Sequence, residues 1–390
     1  MPCERSLREA HVAAGRCTSV FDMPSPLIVT ALDTRVAITF DAEVSQQDAA
    51  RFAAAWEGAL APLDGRGPDA SVHVTLGTTQ IDGAERFDVA AVGYDDAVAS
   101  LSTRVTLAAI EHRKSELVML HACGVALDDG SVLAFVGPSG RGKTTLVSEL
   151  GRRYAYVTDE TVGIDRDGRV NPYRKPLSRV SARGAKVQLS PRSLELVDLP
   201  AAELRIRSIA LIDRQGEDGG RPEVHPVPLA DALTQLVPEL SYLPLLEHPL
   251  RRLAELVSAA GGVNRITYSE AALIDSKTVD ALMNSRHVDS WSPLETGEAE
   301  RSCAPGSFVR VVPLDGLRIG DVIVLLHDNT VRVVDGIGPA IWDATATPAS
   351  LPEITRAVIE RHGAPDGGEA GDLVADAVHT MTEMGILARG

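Results

Sequence analysis

Val132-Leu133-Ala134-Phe135-Val136-Gly137-Pro138-Ser139-Gly140-Arg141-Gly142-Lys143-Thr144-Thr145-Leu146 decides the fold class. An apolar run reading as a buried strand meets a loop that matches the phosphate-binding pattern G-x-x-x-x-G-K-[ST] at every fixed position. Thr145 to Leu150 then opens an amphipathic helix. The glycines let backbone N–H groups close on phosphates, Lys143 adds a point charge, and the Thr144 hydroxyl can complete a Mg2+ shell at a helix N-terminus that favours anions. Gly137, Ser139, Gly140, Arg141, Gly142, Lys143, Thr144 and Thr145 are therefore the expected nucleotide-binding residues of an α/β domain.

Just downstream, Tyr154 to Val157 reads as a strand ending in Thr158-Asp159-Glu160. Two carboxylates at such a tip can hold Mg2+ or act as a general base. A transporter-type ATPase also ends a strand in Asp-Glu, but its long intervening helical segment and Leu-Ser-Gly-Gly-Gln signature are missing from this sequence. The bland alternative is a solvated acidic turn leading into a hairpin at Asp165-Arg166-Asp167-Gly168. His121, closing the apolar run Leu117 to Leu120, reads equally as a core histidine or a site residue. Arg174 and Lys175 read as a solvated hairpin end or as cations stabilising a transferring phosphate.

The order His121-Ala122-Cys123-Gly124-Val125, loop 137 to 144, Tyr156-Val157-Thr158-Asp159-Glu160 and Tyr173-Arg174-Lys175-Pro176-Leu177 resembles the C-terminal catalytic domain of HPr serine kinases, over roughly residues 117 to 275. The resemblance implies a P-loop kinase fold related to phosphoenolpyruvate carboxykinase, with ATP and Mg2+ as cofactors. It implies Asp159 as the base that takes the proton of a substrate hydroxyl, with Lys143 at the phosphates. Thr144 or Glu160 would hold Mg2+, and His121 would lie near the transferred phosphate. Glu160 replaces the second aspartate of the family. The HPr-specific segment is not recognisable between Arg183 and Arg214, and residues 1–113 are unlike the family's regulatory domain, so an acceptor other than HPr is expected. Related kinases assemble, which leaves a homo-oligomer open.

After a polar stretch, 285–305, expected to be a linker, the chain reads as strands at Phe308 to Pro313, Val322 to His327 and Val331 to Val334. Helices follow at Gly338 to Thr345, Leu351 to His362 and Gly371 to Met384, the third with apolar residues at spacings near 3.6. This order, with Val333-Val334-Asp335, Gly336 to Trp342 and a terminal Gly-Ile-Leu, resembles the winged-helix PqqD-like domains that bind leaders of ribosomally made precursor peptides, over about residues 306 to 390. A strand on a sheet edge can pair with an extended peptide. Val331, Val333, Val334, Val374 and Val378 are the expected groove residues. A DNA-binding winged helix is the rival, but Arg356, Arg361 and Arg389 are the only Lys or Arg from Ile337 onward. A phosphate-reading surface needs clustered positive charge.

The 390 residues allow two or three domains, and the formal net charge of −16 argues against nucleic acid or an anionic membrane as a general partner. Residues 27 to 113 alternate strand, helix, strand, strand and helix, with helices at Gln46 to Leu60 and Ala97 to Arg113, and carry no reactive constellation. A packing or dimerisation domain is expected there. No signal-peptide core follows Met1-Pro2-Cys3-Glu4-Arg5, and Cys3, Cys17, Cys123 and Cys303 have no metal-ligand spacing. A cytoplasmic protein with reduced thiols is the expectation.

Taken together, these features lead to the expectation of a peptide kinase that phosphorylates a Ser or Thr hydroxyl on a precursor peptide tethered by its leader. The alternative is a nucleotide-dependent regulatory or chaperone subunit that presents the peptide to another enzyme.

Overall fold

The computed structural model describes residues 24–62, 64–80, 85–180, 186–216, 220–295, 304–365 and 369–390. Cys3, Cys17, Cys303 and residues 296–303 of the expected linker lie outside them.

Within the N-terminal part, β1 (Leu27–Ala31), β2 (Thr34–Phe40), α1 (Gln46–Ala55), β3 (Ala70–Leu76), β4 (Val89–Ala91) and α2 (Tyr94–Arg113) follow in order. The strands form one sheet in the order β1-β2-β3-β4, parallel from β2 onward. Ser45 accepts the Asp48 amide and caps α1. That helix stops at Ala55, earlier than the expected Leu60. Beyond it, Gly58 fits where a Cβ would lie 2.9 Å from Pro191 and 3.0 Å from the Arg174 carbonyl. Phe52, Trp56, Val72, Val74, Leu101 and Val105 form the core, which also takes in Leu117, Met119 and Tyr173 from the following part.

The central part contains β5 (Val118–Leu120), β6 (Ala122–Ala126), β7 (Ser131–Val136), α3 (Lys143–Leu150), β8 (Ala155–Thr158), β9 (Val162–Ile164), β10 (Val170–Asn171), β11 (Leu177–Val180) and β12 (Lys186–Leu189). It continues with β13 (Arg205–Arg214), β14 (Glu223–Val227), α4 (Leu229–Leu236), β15 (Leu240–Ser241), α5 (Pro249–Ala259), β16 (Val263–Tyr268) and α6 (Ser276–Asn284). The main sheet runs β14-β16-β13-β7-β6-β8, with β7, β13 and β16 parallel, and a second sheet runs β10-β9-β5-β15. Two of the crossings between these sheets are made within one to three residues. His121 separates β5 from β6, and Asp159-Glu160-Thr161 separates β8 from β9. Because both crossings fall on one seam, the Ala122 amide donates to the Glu160 carbonyl at 3.1 Å.

The C-terminal part comprises β17 (Ser292–Pro293), β18 (Ser307–Arg310), β19 (Asp315–Ile319), β20 (Val322–His327), β21 (Thr330–Val334), α7 (Gly338–Ala344), β22 (Ala349–Ser350), α8 (Leu351–His362), α9 (Ala370–Glu383) and β23 (Leu387–Arg389). Its sheets run β17-β19-β20-β21 and β22-β18-β23, with the helices over a core built around Trp342. Ser350 and Glu353 form a capping box on α8.

This part is docked, not loosely tethered. Leu317, Val324 and Leu326 share a core with Leu253, Leu256 and Val257 of the central part. Buried Asp315 accepts the Leu250 and Arg251 amides at 3.0 and 2.9 Å and the Arg251 Nε at 2.9 Å, capping α5 from another sheet. Residues 285–295 are likewise held. Asp289 accepts the Leu229 amide at the start of α4, Trp291 donates to Ser258, and β17 joins the sheet of β19. No helix among the described residues is long and apolar enough to cross a membrane.

Candidate active site

The loop that follows β7 is exposed from Pro138 to Arg141 and turns into α3 at Gly142, whose φ of 94° is a left-handed conformation that glycine adopts without steric cost. Gly137 is required for a different reason. A Cβ there would lie 2.5 Å from Ile212 Cγ1 of the adjacent β13. The first amides of α3 have no partner within the helix and face the loop, which suits an anion. Lys143 is buried and donates to the Gly137 carbonyl at 2.5 Å and the Pro138 carbonyl at 3.2 Å. Burial pulls its pKa below the ordinary value, against the charges of Glu239, Glu160 and Asp159. An ammonium held by its own loop carbonyls has weak partners to give up when a phosphate offers full negative charge.

Asp159 is the hub of the site. Its Oδ2 accepts the Thr144 hydroxyl at 3.2 Å, tying the tip of β8 to the first turn of α3 across the intervening β6. Oδ1 accepts Lys175 Nζ at 3.0 Å and the Tyr156 hydroxyl at 3.3 Å. Lys175 also reaches Glu160 Oε2 at 3.2 Å, so one buried ammonium bridges both carboxylates. Burial disfavours the Lys175 charge, but the two carboxylates outweigh it and hold its pKa above the ordinary value. Burial, with Asp159 beside it, raises the Tyr156 phenol well above its ordinary value. Burial likewise raises the thiol of Cys123, which is free and on the neighbouring β6.

No family model matches this chain, and no curated protein matches it. The site is therefore read from its own geometry.

His121 lies at the seam, half-buried, with its amide donating to the Glu239 carbonyl at 2.7 Å. Its Nδ1 is 3.1 Å from the Glu160 carbonyl. A carbonyl only accepts, so Nδ1 carries the proton in that bond and Nε2 is left for another partner. Arg174 and Lys175 diverge although they are consecutive. Lys175 enters the acidic pair, whereas Arg174 donates to Asp198 at 2.8 Å and to the Val197 carbonyl, with its guanidinium 5.9 Å from the Tyr156 ring centroid. Lys175 is thus a counter-ion of the carboxylates and Arg174 is held one ring away from Asp159. The two cations that stand side by side in the sequence therefore reach different partners.

Thr144 pairs with Asp159, while the Glu160 carboxylate turns towards Lys175 and Thr106. Among the described residues no group of three or more His, Cys, Asp or Glu is placed to hold a metal by itself. One hydroxyl and one or two carboxylates do suit Mg2+, which keeps several waters and takes its remaining oxygens from substrate phosphates. Beside the loop, on the β13 side, a cleft of about 360 Å3 is lined by Arg141, Arg214, Gln235, Pro238, Glu239 and Arg265, among others. A larger cavity of about 610 Å3 lies apart from the loop, between the Asp165–Gly168 turn, α5 and Pro293.

The expected peptide groove needs a correction. β21 is indeed at the edge of its sheet. However, pairing Val324↔Val333 and Leu326↔Val331 puts Val331 and Val333 on the face towards the central part, where Val331 packs. Val334 points the other way and is buried with Val374 and Val378 in the small core. Period-two alternation prevents these five side chains from lining one groove. On the helix side of β21 the strand presents Thr330 and Arg332.

Proposed function

We propose that the protein is an ATP- and Mg2+-dependent kinase of the HPr serine kinase type. Its acceptor would be a Ser or Thr hydroxyl on a ribosomally made precursor peptide. The observation that carries this reading is the 3.2 Å contact between Thr144 and Asp159, which joins a phosphate-binding loop to a buried carboxylate hub. In such an enzyme the loop amides and Lys143 orient the phosphates. Asp159 takes the proton as the acceptor oxygen bonds to the γ-phosphorus and the bond to the β,γ-bridging oxygen breaks. Mg2+, held by Thr144 with Asp159 or Glu160, would supply neutralisation of the phosphate charge. His121 Nε2 and Lys175 then shape the field around the moving proton.

The winged-helix, PqqD-like reading of residues 306 to 390 supplies the peptide. An extended leader pairing with the free edge of β21 would run beside α4 and the 3-10 turn Val237–Glu239, which pack next to that strand. The same segment lines the cleft beside the loop, so a leader bound there would lie a short way from that cleft. Recognition of this kind draws affinity from main-chain hydrogen bonds.

A second reading is a nucleotide-dependent subunit that presents the peptide to another enzyme. It is favoured by the saturation of Asp159, whose oxygens already serve Thr144, Lys175 and Tyr156. Incubation with ATP, Mg2+ and peptide, followed by intact-mass measurement, separates the two. A kinase adds about 80 Da per phosphate, and a presenting subunit adds nothing.

A further inference from the structure

Tyr173 and Thr106 contribute a buried hydroxyl pair that the reading above leaves unused. Tyr173 lies two residues before Lys175, yet its ring is buried in the N-terminal core. Its hydroxyl is 3.0 Å from Thr106 Oγ1 on α2. Thr106 Oγ1 in turn lies 3.5 Å from Glu160 Oε2, the oxygen that Lys175 also reaches, and 2.9 Å from the Ser102 carbonyl.

Each hydroxyl has one proton, and both the carbonyl and the carboxylate only accept. Tyr173 therefore donates to Thr106, and the Thr106 proton is shared between Ser102 and Glu160. Burial, with the Glu160 charge next, raises the Tyr173 phenol well above its ordinary value, so it remains a donor. The same N-terminal part grips the chain just beyond the carboxylate. A Cβ at Gly163 would lie 2.9 Å from Leu32 Cδ2 of that part.

We infer that Thr106 and Tyr173 are positioning residues for Glu160, and that the N-terminal part completes the acidic site instead of merely covering it. The inference rests on the kinase reading for what the acidic site binds. Thr106 gives Glu160 Oε2 a hold that does not depend on Lys175.

The test uses the full chain and titrates Mg2+ against binding of a non-hydrolysable ATP analogue. Thr106→Val and Tyr173→Phe should each raise the Mg2+ concentration needed by about tenfold, as for other residues that orient a metal ligand. Binding of the analogue in EDTA should not change. The double variant should be no worse than either single one, because both act through one hydrogen bond, and Thr106→Ser should restore the wild-type value. Thermal unfolding of each variant checks that it is folded. Wild-type Mg2+ dependence in Thr106→Val, or a Thr106→Ser variant as poor as Thr106→Val, overturns the positioning role alone. A wild-type protein whose analogue binding does not respond to Mg2+ overturns the kinase reading and the positioning role together.

Discussion

Lys175 Nζ lies 3.0 Å from Asp159 Oδ1, and both side chains are almost withdrawn from water. Taking two charges out of water is costly, and removing one partner leaves the other without compensation. The ion pair is therefore a strong constraint on the site even if its net contribution to stability is small.

Lys175→Met should destabilise the protein by about 3–5 kcal/mol, the usual cost of breaking a buried pair. Urea denaturation at neutral pH measures it. The raised pKa of Lys175 sets the pH dependence. Its contribution is fully present below the ordinary lysine value of 10.5 and is lost as pH rises through the higher folded value. The difference between wild type and variant should thus hold steady from neutral pH to about 10 and shrink above 10.5. A difference that does not change across that alkaline range would mean that the ammonium is not the source of the effect.

Lys143 behaves with the opposite sign. Its lowered pKa means that the folded state disfavours its charge, a penalty present below the folded value and relieved as pH rises towards 10.5. Lys143→Met keeps the stem and should be at least as stable as wild type at neutral pH, while losing the thermal shift produced by ATP and Mg2+. A variant that retains that shift would remove Lys143 from the phosphate site.

Gly137→Ala should cost about 1–3 kcal/mol, the range for overpacking, because its Cβ would meet Ile212 Cγ1 at 2.5 Å. Adding Ile212→Ala removes the clashing atoms, so the double variant should regain nucleotide affinity relative to Gly137→Ala. Additive losses in isothermal titration would show that the glycine is needed for something other than close approach.

Asp315→Ala should destabilise by about 2–3 kcal/mol, since a buried carboxylate that caps α5 is lost along with its charge-assisted bonds. If the C-terminal and central parts share a core, as Leu326 and Leu253 do, wild-type melting should be one transition with no separate early step for residues 306 to 390. Two resolved transitions in calorimetry would speak for a flexibly attached module.

Much of this architecture is legible along the chain, because local pattern and tertiary need agree there. α8 spans Leu351–His362, as periodicity and flanking residues indicate. The strand, loop and helix around Gly137 to Thr144 carry their own geometry. β19 is not legible, because Asp315 and Gly316 look like a turn. Asp315 is in a strand only because the start of α5, 64 and 65 residues away in sequence, consumes its oxygens. Likewise nothing local says that Lys175 turns to the acidic pair and Arg174 to Asp198, or that Thr106 in mid-helix meets Glu160. Val331, Val333, Val334, Val374 and Val378 do not share a surface, since strand alternation and core burial are decided by tertiary partners.

Phosphoryl transfer itself is the most direct test. The protein is incubated with ATP, Mg2+ and a candidate precursor peptide, and the peptide is weighed intact. A kinase built on Asp159 gives a gain of about 80 Da with wild-type protein. Asp159→Asn slows that gain by about 10² or more while still binding the nucleotide. A peptide that binds but keeps its mass, with ATP hydrolysed only slowly, contradicts the kinase and leaves the presenting subunit in its place.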